Sequence, residues 1–204
     1  LKVKITDCAT CHAGVTKVED LKNIRMIASK GIDYDGDGDT TKGIYHEIIG
    51  LQTKLMTGLM AYAKEKSKKE ICYKSTAYPY FFIDADKDGK CTDTDKDKYN
   101  GFTPRLIRAA YNYQLSIKDP GAFAHNAKYI IQLLHDSITD LNGTITAKVD
   151  MTKAVRNDKG HFNGAGEPAR HWDGDDAVSG GCAKCHGGSE GLNYFVKYGL
   201  NIPV

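Results

Sequence analysis

Two stretches of this chain combine residue types and spacing suited to one kind of chemistry: Cys8-Ala9-Thr10-Cys11-His12 near one end and Cys182-Ala183-Lys184-Cys185-His186 near the other. Two thiols separated by two residues can add to the two vinyl groups of a porphyrin. The histidine that follows then lies beneath the ring, where its imidazole serves as an axial iron ligand. One such C-x-x-C-H can instead be a redox dithiol or part of a zinc site. Two of them, in a chain with six cysteines, point to two covalently bound c-type haems. A zinc ribbon keeps its cysteine pairs close together, whereas 170 residues lie between Cys11 and Cys182. A thioredoxin-like dithiol would sit in a strand–helix–strand pattern, which neither pair has.

With His12 and His186 as the proximal ligands, the group filling each iron's sixth position separates electron transfer from catalysis. His46, His125, His135, His161 and His171 remain for two positions, and this surplus favours bis-histidine coordination. Met26, Met56 and Met60 fall in helical patterns and read as core. His135 lies beside the apolar stripe Ala127, Ile131, Leu134 and Ile138, so it faces inward; His125 points away from that stripe.

Two acidic loops suggest calcium. Asp33, Asp35, Asp37 and Asp39, with Gly38 at the sixth position, match the first half of an oxygen-ligand loop. Its twelfth position is Ile44, and Glu47, one turn further along, is the expected substitute. Asp84, Asp86 and Asp88 followed by Gly89 repeat the half-loop, and Asp93, Asp95 and Asp97 supply further oxygens. The competing reading for both is a solvated acidic turn, although carboxylates this close repel one another unless a cation sits among them. Outside the haem motifs only Cys72 and Cys91 remain. They are either two reduced buried thiols or one disulfide, and the oxidising compartment in which c-type haem is attached favours the disulfide.

The elements that position these groups read as mainly α, with calcium-type loops, much irregular chain and little or no β-sheet. The 204 residues form one haem-organised domain, 1–204, with its two haem motifs at the termini. Helical periodicity covers residues 18–30 and, most extensively, residues 42–66, where Ile44, Ile48, Leu51, Leu55, Leu59, Tyr62 and Ala63 share a face. Thr103 as N-cap and Pro104 at the first helical position open a helix to about Lys118. Asp119-Pro120-Gly121 is a break, and one helix is expected over residues 122–141. Residues 78–83 read as an extended or edge segment whose aromatic side chains pack in the core rather than on a haem. A short helix over residues 190–198 closes the chain.

No apolar run approaches the length of a membrane span. The formal charge of +2 excludes a strongly basic nucleic-acid binder, and haem propionates bring the balance nearer zero. The chain starts at Leu1 with no signal segment ahead of it, and is read as processed or truncated.

From Asp33 to about His186 the chain resembles the C-terminal region of extracellular multihaem c-type cytochromes of metal-reducing bacteria. The residues that carry this are Tyr78-Pro79-Tyr80-Phe81-Phe82-Ile83-Asp84, Asp119-Pro120-Gly121-Ala122-Phe123-Ala124-His125-Asn126, Gln132-Leu133-Leu134-His135-Asp136-Ser137-Ile138, Arg156-Asn157-Asp158-Lys159-Gly160-His161-Phe162 and Arg170-His171-Trp172-Asp173. The resemblance implies a secreted, extracellular or periplasmic electron carrier, serving redox partner proteins or extracellular acceptors. Some such cytochromes polymerise into conducting filaments, so a homopolymer with haems near subunit interfaces is a further expectation. By motif match His125, His161 and His171 become the distal ligands, while His46 and His135 fall where other residues are expected. The chain departs from the family in carrying two haem motifs where four or more are usual. A dihaem peroxidase with one open haem, and a structural or sensory haem module, are the competing functions.

Overall fold

The computed structural model describes residues 4–9, 12–25 and 29–156. The chain divides into two compact units, Leu1–Asn23 with Asp33–Arg156, and Ile24–Ile32 with Asn157–Val204. Of the second unit, residues 24–25 and 29–32 are described; there the Arg25 guanidinium donates to the carbonyls of Ser29 and Ile32.

The first unit is built on helix α2, Ile44–Tyr62. Ile44, Ile48, Leu51, Leu55, Leu59 and Tyr62 recur at three- and four-residue steps and are all buried. On this face pack α3, Pro104–Lys118, and α5, Ala127–Asn142. Helix α3 contributes Leu106, Ala109, Ala110 and Tyr113, and its two alanines let the backbones approach closely. Helix α5 contributes Ile130, Ile131, Leu134, Ile138 and Leu141. Burying each of these aliphatic side chains is worth about 1.5–3 kcal/mol, so this three-helix seam holds the unit together. Polar ties register the helices: Gln52 Nε2 donates to Ser116 Oγ at 3.0 Å, and Asn112 Nδ2 to Ser137 Oγ at 2.9 Å.

The ends of α3 are where the sequence places them. Thr103 Oγ1 accepts from Leu106 N at 3.2 Å, Pro104 takes the first turn, and the helix ends at Lys118. Helix α2 also matches its periodicity, closing in a π-helical turn, Ala63–Ser67, whose cap Lys68 adopts a left-handed φ of 55°. Elsewhere the structure departs from expectation. Where a helix is expected over residues 18–30, the described residues hold a 3-10 helix at Val18–Asn23, and the chain leaves it at residues 24–25. Asp20 Oδ2 accepts from Thr16 N and Lys17 N and starts that turn, but Val18 is 52% exposed, so the apolar series is not a buried stripe. The helix expected over residues 122–141 is two, α4 at Ala122–His125 and α5, parted where Asn126 leaves helical geometry at φ −155° and ψ 38°. Asparagine is a poor helix former, which makes it a natural point of division.

The aromatic stretch turns at residues 78–80, through a cis Tyr78–Pro79 bond, and then forms strand β2, Phe81–Ile83. Its antiparallel partner is β1, Ile71–Tyr73, in the register Ile71 with Ile83 and Tyr73 with Phe81. This small ribbon is more sheet than the edge segment expected, within a fold that is mainly α. Its rings pack on one another and on α3: Tyr73 meets Tyr113 edge-on at 5.0 Å, and Phe81 meets Phe102 at 6.0 Å. A short helix α1, Ile5–Ala9, begins the described chain. Among the described residues no helix is long and apolar enough to cross a membrane.

Candidate functional site

Helix α1 ends within the first C-x-x-C-H motif and holds its first cysteine, Cys8. Cys8 is half-buried, and the N–H of His12 donates to the Cys8 carbonyl at 2.9 Å, one helical turn along. The chain thus offers a half-buried thiol at Cys8 and an exposed imidazole at His12. A thiol that can form a thioether and a histidine nitrogen that can ligate iron are the donors a covalent haem requires, so these residues fit the group. Cys11 lies outside the described residues, as do Cys182, Cys185, His186, His161, His171 and the short helix expected over residues 190–198.

The three remaining histidines differ in setting. His125 ends α4, 63% exposed, with Nε2 3.6 Å from Asp119 Oδ1. His46 Nε2 lies 3.2 Å from Asn23 Oδ1, and its ring meets Tyr45 edge-on. His135, on α5, has a buried Nδ1 with no hydrogen-bond partner. Burial pushes its pKa below the ordinary range despite the adjacent Asp136, which favours the neutral ring. A neutral imidazole with a bare ring nitrogen is the form that coordinates iron. Periodicity had placed His135 inward; what it does not reveal is the nitrogen without a partner.

The two acidic loops are built differently. In the first, Asp33 gathers the turn: Oδ1 accepts from Gly36 N at 2.6 Å and Oδ2 from Gly38 N at 2.7 Å. Asp33, Asp35 and Asp37 bring ligand atoms within 4.8 Å of one another. Glu47, fully buried on α2, accepts from Tyr34 N and Asp35 N at 3.0 and 3.1 Å and clamps the loop to the helix. Gly50 is required at this contact, because a Cβ there would run into the Asp35 carboxylate. The sequence offers no hint of the loop's cation. Lys42 Nζ stands 2.6 Å from Asp35 Oδ2, 2.5 Å from Asp37 Oδ2 and 4.0 Å from Glu47 Oε2. Burial raises the Asp35 pKa against the pull of Lys42. Desolvation opposes the Lys42 charge, but its hydrogen bonds to Asp35 and Asp37 win and raise its pKa. Asp39 caps the loop's exit, accepting from Thr41 N at 2.8 Å.

In the second loop Asp84, Asp86 and Asp88 again converge within 4.8 Å, with Gly89 turning at φ 78°. The loop closes on Asp95, which is 3% exposed and accepts from Ala85 N at 2.9 Å and Thr92 N at 2.8 Å. Counting twelve positions from Asp84 finds Asp95 in the sequence, a signal the half-loop pattern passes over. The loop contains Cys91, joined to Cys72 of β1 by a disulfide with Cα atoms 5.2 Å apart.

With these sites in view, comparison with known proteins is informative. The chain is 27% identical over 161 residues to the C-type polyheme cytochrome OmcC of Geobacter sulfurreducens, an alignment covering 71% of this chain and 18% of that protein. The chain is homologous to part of a polyhaem c-type cytochrome. The C-type polyheme cytochrome OmcB of the same species aligns with the same identity and coverage. The chain thus spans about a fifth (18%) of the length of the curated relatives it matches. No family model matches the chain, and no solved structure matches it. The resemblance to multihaem cytochromes of metal-reducing bacteria, read from residues 33–186, is borne out.

Proposed function

We propose that this chain is an electron-transfer segment of c-type cytochrome, holding two haems through Cys8, Cys11 and His12 and through Cys182, Cys185 and His186. The observation that carries the reading is the pair of C-x-x-C-H motifs in a chain homologous to polyhaem cytochromes. Bound iron cycling between ferric and ferrous states supplies the redox chemistry. The chain's own residues attach the porphyrins, ligate the irons and exclude water from them. A second histidine would ligate each iron. His161, His171 and His125 are the candidates by resemblance, and His135, whose buried Nδ1 makes no hydrogen bond and lies 3.9 Å from Asp136 Oδ1, adds a fourth. The electrons pass to redox proteins or extracellular acceptors, outside the cytoplasm, where haem attachment and the Cys72–Cys91 disulfide both belong. Long-range conduction needs haems beyond these two, in the rest of a longer cytochrome or in neighbouring chains, and polymerisation into a filament is the form of the proposal in which neighbouring chains supply them.

Electron paramagnetic resonance of the oxidised native protein tests it. Two low-spin bis-histidine signals per chain are expected, and replacing His125, His135, His161 or His171 singly by Ala identifies the ligands as those whose loss converts one signal to high spin. A high-spin haem in the native protein that binds cyanide would replace this reading with a dihaem enzyme. Micrographs showing only discrete particles at high concentration would remove the filament.

A further inference from the structure

The geometry points to the loop at residues 84–95 as a calcium site, with Asp84, Asp86, Asp88 and Asp95 as its carboxylate ligands, and to this loop rather than residues 33–39 as the one that holds the ion. The inference stands apart from the haem reading and uses none of its residues.

Three observations converge. The first is spacing: Asp84, Asp86 and Asp88 occupy positions one, three and five of a twelve-residue loop, Gly89 the sixth, Thr92 the ninth and Asp95 the twelfth. The first loop has Ile44 at its twelfth position. The second observation is an oxygen that lacks a partner. Asp84 is 4% exposed; its Oδ2 accepts from Gly89 N at 2.9 Å, but its Oδ1 is buried with no hydrogen bond at all. A buried carboxylate oxygen without a donor is costly, and here it belongs, with Asp86 and Asp88, to a group of three whose ligand atoms lie within 4.8 Å of one another. A cation among them satisfies that oxygen and removes the repulsion.

The third is the difference in counter-charge. Lys42 already lies against Asp35 and Asp37 in the first loop. Among the described residues no ammonium or guanidinium comes within 4.0 Å of Asp84, Asp86, Asp88 or Asp95, and Lys74, which is near, pairs with Asp93 instead. Asp95 remains able to ligate, since a carboxylate has about four acceptor sites and the donors from Ala85, Thr92 N and Thr92 Oγ1 use three. A flexible, carboxylate-rich loop suits calcium, whereas magnesium demands near-ideal octahedral geometry and keeps its waters.

The test is calorimetric titration of the full haem-loaded chain with calcium chloride after treatment with a chelator. One calcium per chain is expected, with a Kd on the order of 10⁻⁴ M, as in other extracellular calcium modules. Asp88 is exposed, so Asp88→Asn leaves the fold intact and is expected to weaken binding at least about tenfold through the lost ligand charge. Asp37→Asn in the first loop is expected to leave both stoichiometry and affinity unchanged. The absence of saturable binding would overturn the site. So would binding abolished by Asp37→Asn but retained in Asp88→Asn. Two ions per chain would overturn the assignment of Lys42 as the first loop's cation, and equal binding of magnesium would overturn the choice of metal.

Discussion

The disulfide between Cys72 and Cys91 permits a prediction whose size follows from chain statistics. Replacing both by alanine, Cys72→Ala/Cys91→Ala, frees a loop whose ends are 19 residues apart. The loop-closure entropy removed from the unfolded chain by such a link is about 2.1 + 1.5R ln n cal/mol/K, which is roughly 3 kcal/mol at 25 °C. Cys72 is fully buried, so its truncation adds a small packing loss, whereas Cys91 is only half-buried. A stability loss of about 3 kcal/mol is therefore expected, or a Tm lower by roughly 6–12 °C for a domain of this size. Urea denaturation followed by far-ultraviolet circular dichroism measures it. A thiol count on the unfolded wild type completes the assay. No reactive thiol before reduction and two after it are expected, because the four motif cysteines are held as thioethers. A stability change under about 1 kcal/mol would refute the entropy argument. Two thiols before reduction would refute the disulfide, and six after reduction would refute covalent haem.

Gly50→Ala forces a methyl group into the Asp35 carboxylate and is expected to cost about 1–3 kcal/mol in urea denaturation, despite the better helix propensity of alanine. A stabilised variant would show that the first loop does not rest on α2. Leu134→Ala, at a fully buried seam position, is expected to cost about 2–5 kcal/mol on the same measurement, and a cost under 1 kcal/mol would contradict the packing described. Glu65 ties the end of α2 to the loop after α5, accepting from Thr146 N at 2.7 Å, and its hydrogen bonds, first from Lys66 and then from Thr146, pull its pKa from 4.5 to about 2. Because the folded value is the lower one, this tie is fully present above pH 4.5 and is lost as pH falls through about 2. Hydrogen exchange at the Thr146 amide should lose protection in that window and lose its pH dependence in Glu65→Gln; protection already gone by pH 4.5 would contradict it.

The parts of the fold legible in sequence are those decided locally. Thr103-Pro104 opens α3 because capping and proline geometry need only neighbouring residues. The α2 stripe reads correctly because its one face meets α3 and α5 along its length. What fails depends on distant partners. Residues 18–30 show the same spacing as α2, yet among the described residues Val18 stays half exposed and only Val18–Asn23 are helical, in a 3-10 turn. Strand β1, three residues long, exists because Phe81–Ile83 lies beside it. The site follows the same division. The haem motifs and the acidic half-loops can be read directly, whereas the Lys42 ammonium in the first loop and the bare nitrogen of His135 exist only once the chain folds.

The aliphatic seam of α2, α3 and α5 bears on the order of assembly. Leu51, Leu55, Leu59, Leu106, Leu134, Ile138 and Leu141 are all fully buried in it. In a cytochrome whose core is its cofactor, the polypeptide must wait for maturation before it can collapse. If the two C-x-x-C-H motifs take haem as proposed, the bundle that lies between them in sequence folds without waiting for attachment. Cys8, on α1, is not among the residues of that seam.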